Sequence, residues 1–131
     1  MRGWLTRLLG NRGERLAAKF LVRKGIRILR RQHKMPSGEL DIIAMDGDRI
    51  VFVEVKTRRS DSKGHPVEAI TPQKQKKLTQ LALTYLKKHG LLNQPTRFDV
   101  VTVLWKHGQR KPVIEHYENA FPPVGSGQMF S

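Results

Sequence analysis

Apolar positions along this chain recur with two different periods, and the switches between them mark its elements. From Asn11 to Gly25, "NRGERLAAKFLVRKG", the apolar residues Leu16, Ala17, Ala18, Phe20, Leu21 and Val22 fill one arc of a helix. Asn11 suits the cap, Glu14 stands three residues on, and Gly25 suits the residue after the last turn. "IRILRRQ" then alternates as a short edge strand whose arginines discourage sheet-to-sheet association. "KMPSG" is turn chemistry, and "ELDIIAM" and "RIVFVEVKT" are apolar runs joined by "DGD", a strong hairpin signal. After the polar stretch "RRSDSKGHP", Thr71 suits an N-cap and Pro72 the first helical position. Leu78, Leu81, Ala82, Tyr85 and Leu86 then keep helical spacing until Gly90 ends the pattern. "TRFDVVTVLW" predicts a strand, "KHGQRK" a turn and "PVIEHY" a weaker strand, while "FPPVGSGQMFS" has the composition of a loosely ordered tail.

The predicted order is α-β-β-β-α-β-β, an α/β fold with a mixed sheet flanked by helices. The third strand, second helix and fourth strand form a βαβ unit, so those two strands should be parallel. The chain has 131 residues, which suits one domain over residues 11–121, with a basic extension at 1–10 and a flexible tail at 122–131. In "VFVEVKT" residues two apart share a face, so Val51, Val53 and Val55 are expected toward the core and Phe52, Glu54 and Lys56 on the other side.

Composition changes the picture by naming a partner. Lys and Arg total 25 against 11 Asp and Glu, a net charge of +14. Such a surface attracts polyanions, and nucleic acid leads among them. An anionic membrane would call for a basic amphipathic helix or a lipidation signal, and "MRGWLTRLLG" offers only a weak version; its apolar stretch is broken by Thr6 and Arg7. No signal peptide, membrane span or membrane partner is expected, and a cytoplasmic setting fits a chain without cysteine. The missing thiols remove disulfides and thiolate metal sites, and His33, His65, His89, His107 and His116 show no zinc-ligand spacing.

The scarce carboxylates carry the chemistry. Asp46, Asp48 and Asp61 fall in turns, Glu68 in a loop, and Glu115 and Glu118 near the last strand. Glu14, Glu39, Asp41, Glu54 and Asp99 lie in or beside apolar segments, where an unpartnered charge costs several kcal/mol. Pairing about the "DGD" turn brings Asp41 to within a residue or two of Glu54. Two facing carboxylates repel, and a hard divalent cation such as Mg²⁺ removes the repulsion. Lys56 is then placed to hold a water beside the metal. Alternatively Glu54 and Lys56 form a strand-edge ion pair worth under about 1 kcal/mol.

Other polar residues have two readings each. Arg12, Arg15, Lys19 and Arg23 form a basic stripe on the first helix, and Glu14 lies inside its apolar arc. Glu14 is either a capping-box partner of Asn11 or an inward acid. Glu39 either supports the metal ligands or merely opens a strand. Asp99 either anchors Arg97 or a backbone amide, or approaches the metal. Lys74 and Gln75, in the first turn of the second helix, suit a phosphate contact or an ordinary solvated turn. Arg58, Arg59 and Lys63 are loop charges that attract phosphate.

"GERLAAKFL", "GELDIIA", "VFVEVKTR", "KQKKL" and "RFDVV", with Asp41, Glu54 and Lys56 spaced as D-x12-E-x-K, resemble the PD-(D/E)xK nuclease superfamily. More closely they resemble the small bacterial YraN-like proteins, themselves similar to archaeal Holliday junction resolvases. The resemblance implies a restriction endonuclease-like fold, with Asp41 and Glu54 as metal ligands, the Val55 carbonyl as a third and Lys56 as the catalytic lysine. It also implies accessory catalytic roles for Glu14 and Gln75. Leu40 stands where the superfamily pattern has proline, which changes no ligand. The implied activity is that of a Mg²⁺-dependent endonuclease, with Mn²⁺ as a substitute, acting on DNA and on branched DNA as a homodimer. The rival classes are a non-catalytic nucleic-acid-binding protein that keeps this fold, and a basic accessory protein that docks on an acidic one.

Overall fold

The computed structural model describes residues 2–59 and 70–124, with residues 2–10 as backbone only. Asp61, Lys63 and Glu68 lie outside the described residues, as does the tail beyond Val124. The elements are α1 (Arg2–Arg23), β1 (Arg27–Met35), β2 (Gly38–Asp46), β3 (Arg49–Arg59), α2 (Pro72–Lys88), β4 (Thr96–Trp105) and β5 (Val113–Phe121). The five strands form one sheet in the order β1-β2-β3-β4-β5. β3 and β4 are parallel and the other neighbours antiparallel, so the mixed sheet and its βαβ unit are as predicted.

Local chemistry explains most boundaries. Thr71 caps α2 by accepting the Lys74 N–H at 3.1 Å, with Pro72 as the first helical residue. The β2–β3 hairpin closes at Asp46 and Arg49 through Gly47 and Asp48, and Gly47 takes a φ of +64° that a side chain would disfavour. α1 departs from expectation by beginning at Arg2, so the boundary drawn at residue 10 falls inside a helix. Asn11 is therefore no cap; its side-chain oxygen accepts from Gln32 Nε2 at 2.7 Å and ties α1 to β1. The helix runs through Gly10 and Gly13, each of which costs about 1 kcal/mol in a helix interior.

Three further expectations are corrected. Arg58 and Arg59 belong to β3, because pairing with Leu104 and Trp105 of β4 extends that strand to its end. β5 continues past Tyr117 to Phe121, across an irregularity in its pairing with β4, and the Phe121 ring stacks on Phe98 at 4.9 Å. The sheet is buried on both faces. Val51 and Val53 pack with Ala17 and Leu21 under α1, while Phe52 packs with Leu78, Leu81 and Tyr85 under α2. Val22, placed by sequence in the apolar arc of α1, is 56% exposed because the helix turns only Ala17, Ala18 and Leu21 fully onto the sheet.

Candidate active site

Strands β2 and β3 part company at Asp41. Their register ends at Ile42 opposite Val53, so Asp41 and Glu54 would face one another at the next step. The alternation of β2 also slips there: Leu40 belongs to the α2-side core and Ile42, two residues on, to the α1-side core. Counting alternate hydrogen-bonded pairs from Asp46–Arg49, the Val55 N–H would next bond the Leu40 carbonyl. It bonds Asp41 Oδ2 instead, at 2.9 Å. A side-chain carboxylate has replaced a strand carbonyl at the point where the sheet opens.

Glu54, 6% exposed, lies on the α2 side of this opening. Lys56 Nζ stands 3.7 Å from Glu54 Oε2, and Lys74 Nζ, from the first turn of α2, 3.4 Å from the same oxygen. Glu14 approaches from the α1 side and is 7% exposed. Its Oε1 is buried without a hydrogen-bond partner, and the nearest cation, Arg31 Nε, is 3.9 Å away. The inward reading of Glu14 therefore holds over the capping box, which the longer α1 removes.

These carboxyl groups disturb one another. Burial first, then a hydrogen bond with Glu54 and the Glu54 charge, push Asp41 up to about 8, against the lowering effect of the Val55 N–H. Burial pushes Glu14 up to about 7; Arg31 works against that, and Glu39 and Glu54 add to it. Without a cation, the Asp41 carboxyl is thus held well above the ordinary carboxylate range.

Gly13 sets how near Glu14 comes. A β-carbon on Gly13 would collide with Thr57 Oγ1, so α1 approaches β3 this closely only because residue 13 has no side chain. Sequence reasoning missed both Gly13 and the Arg31 beside Glu14. A glycine inside a helical pattern was the available signal for the first; nothing in the sequence marked the second.

The remaining predicted residues fall in different places. Glu39 is exposed and acts on Glu14 only through its charge. Gln75 turns its Nε2 onto the Ile70 carbonyl at 3.0 Å. Asp99 is fully buried in a network of its own. It accepts from Arg97 Nε at 2.9 Å, from the Asn119 N–H at 2.9 Å and from His116 Nε2 at 2.7 Å. Both anchoring roles expected of Asp99, on Arg97 and on a backbone amide, are thus present. With His116 donating through Nε2, its Nδ1 accepts from Lys24 Nζ at 2.7 Å. Burial raises Asp99, but the bonds from His116, Arg97 and Asn119 outweigh it and hold the carboxyl below its ordinary range.

Among the described residues, no group of three or more His, Cys, Asp or Glu is placed to hold a metal ion. The donor set at the opening is smaller: two adjacent carboxylates and strand backbone, all hard oxygen. It suits Mg²⁺, which keeps several waters and uses one or two carboxylates. The crowding of Asp41 against Glu54 and the orphaned Glu14 oxygen fit a cation at this point.

Fold and site together define an α/β protein with a mixed five-stranded sheet, its β2–β3 pairing ending beside a carboxylate pair and a lysine. The profile described as "Uncharacterised protein family UPF0102" matches residues 13–103, and the chain belongs to that family. Similar proteins include a UPF0102 protein of Pelotomaculum thermopropionicum, 46% identical over 115 residues that cover 88% of this chain and 96% of the relative. A UPF0102 protein of Chlorobium phaeobacteroides is 44% identical, covering 86% and 93%. One from Geobacter sulfurreducens is 45% identical, covering 88% and 89%. Among the described residues, no helix is long and apolar enough to cross a membrane.

Proposed function

We propose that this protein is a Mg²⁺-dependent endonuclease that hydrolyses phosphodiester bonds in DNA, branched DNA included. The observation that carries the reading is the juxtaposition of Asp41 and Glu54 at the strand opening, with Lys56 beside them, in a chain of net charge +14.

Asp41 and Glu54 would hold the metal. Val55 adds its carbonyl: in an extended strand a residue's N–H and C=O point to the same side, and the Val55 N–H points at Asp41. When bound, the ion supplies Lewis acidity to the scissile phosphate and lowers the pKa of a coordinated water. Mn²⁺ prefers the same oxygen donors and should substitute.

The chain's own residues do the rest. Lys56 orients the attacking water and offsets charge on the phosphate, and Lys74 offers a second cation on the α2 side. The water oxygen bonds to phosphorus and gives up its proton to solvent or a nearby carboxylate. The bond from phosphorus to the leaving sugar oxygen breaks, and that oxygen takes up a proton. One strand end then carries phosphate and the other hydroxyl. Glu14, whose carboxyl burial raises to about 7, would exchange a proton with the site. A dimer would let two such sites cut two strands of a junction.

The test is incubation of the purified protein with labelled linear duplex, single-stranded, flap and four-way DNA in Mg²⁺ or Mn²⁺, beside Asp41→Asn and Glu54→Gln. Cleavage by the wild type that both variants lose supports the reading. Absence of cleavage on every substrate, or its survival in both variants, refutes it.

A further inference from the structure

Beside the carboxylate pair lies a basic groove that the hydrolytic site does not use. α1 and the edge strand β1 run antiparallel along it: Asn11 bonds Gln32, Glu14 faces Arg31, and the chain turns from Lys24 into Ile26. The groove has a volume of about 350 Å³ and is lined by Arg15, Ala18, Lys19, Val22, Arg23 and Arg31. Four of those six carry positive charge, and Arg15, Lys19 and Arg23 are exposed along three successive turns. Arg12, the fourth member of the helical stripe, is turned away over the Trp105 ring at 5.5 Å.

Arg31 joins the groove to the site. It lines the groove and also lies 3.9 Å from the orphaned Glu14 oxygen, so the groove opens directly beside the carboxylates. The geometry points to a duplex-DNA backbone seated in the α1–β1 groove, its phosphates on Arg15, Lys19, Arg23 and Arg31, as the track that leads substrate to the Asp41–Glu54 opening. This rests on the nucleic-acid reading given above and adds to it the path of the substrate.

Three features select this occupant. Among the described residues no aromatic ring lines the groove, whereas single-strand tracks stack bases on aromatic side chains. A membrane-surface helix turns its apolar face outward, whereas among the described side chains of α1 Ala17, Ala18 and Leu21 pack on the sheet and Val22 is the large aliphatic one left exposed. Successive turns bring Arg15, Lys19 and Arg23 to one side at about 6 Å intervals along the helix, which suits a line of phosphates.

The experiment measures binding of a labelled duplex to the full chain in EDTA by fluorescence anisotropy, across 50–300 mM salt, so that metal-dependent cleavage plays no part. The variant Arg15→Gln/Lys19→Gln/Arg23→Gln is compared with Arg49→Gln/Lys87→Gln/Lys88→Gln, which removes equal charge at the far ends of β3 and α2. Thermal melting checks that both fold. Each phosphate contact contributes about 0.9 to the log–log salt slope, so the groove variant should lose about 2 to 3 from that slope and the control less than about 1. Equal losses in the two variants, or a groove variant with the wild-type slope, overturn the assignment. So does a wild type that binds no duplex, or a groove variant that loses binding only to phosphatidylserine vesicles. A groove-dependent slope in a protein that cleaves nothing in Mg²⁺ would keep the track and discard the hydrolytic reading.

Discussion

The Val55 backbone N–H donates to Asp41 Oδ2 at 2.9 Å, where strand pairing would have given it the Leu40 carbonyl. That one exchange opens the sheet and brings Asp41 against Glu54, at the energetic cost of crowding two carboxyl groups. The fold raises Asp41 to about 8 and Glu14 to about 7, so the metal-free folded state binds more protons than the unfolded chain from about pH 4 upward. Stability without metal should fall as pH rises through that window. Melting in EDTA from pH 5 to pH 9 should show the decline. Asp41→Asn should reduce the decline and be more stable than wild type at pH 8 by roughly 1–3 kcal/mol. Millimolar Mg²⁺ should raise the wild-type midpoint at pH 8 far more than at pH 5.

Lys56 touches the pair without being buried in it. Lys56→Met should lower single-turnover DNA cleavage by about 10²-fold or more, the size expected on losing one charge-stabilising group. Duplex affinity in EDTA should stay within about threefold, since a single phosphate contact at most is lost. A variant that cleaves at the wild-type rate would remove Lys56 from the mechanism.

Asp99 is a structural anion. Asp99→Asn leaves Arg97 and His116 facing a neutral amide in a closed site and should cost about 3–5 kcal/mol in urea unfolding. Its depressed pKa means that the stabilisation is present above its ordinary value near 3.8 and is lost as pH falls below it. The wild-type advantage over Asp99→Asn should therefore shrink in acid below about pH 4.

Gly13 and Thr57 form a packing contact that positions Glu14. Gly13→Ala should destabilise by about 1–3 kcal/mol through overpacking, despite the higher helix propensity of alanine. Thr57→Ala in the same chain should recover a good part of the loss, giving a coupling of about 1 kcal/mol in a double-mutant cycle. Additive losses would place the strain elsewhere.

The element order, the β2–β3 hairpin, the cap at Thr71 and the parallel βαβ pair follow from local signals in the chain: alternation, helical spacing, turn residues and caps. That Asp41 comes to within a residue or two of Glu54 was legible too, because a tight turn limits the strand register. Other features depend on contacts between residues distant in sequence, which no local pattern encodes. A second core under α2 buries the Phe52 side of β3, and the long α1 removed the cap at Asn11 and left Glu14 facing inward. The slip at Asp41, the passage of α1 over Thr57 at Gly13, and the pairing of Arg31 with Glu14 are also tertiary. The sequence by itself determined which carboxylates share a hairpin. Tertiary packing decided how deeply each is buried and which cations face them, because desolvation and charge act through space and not along the chain.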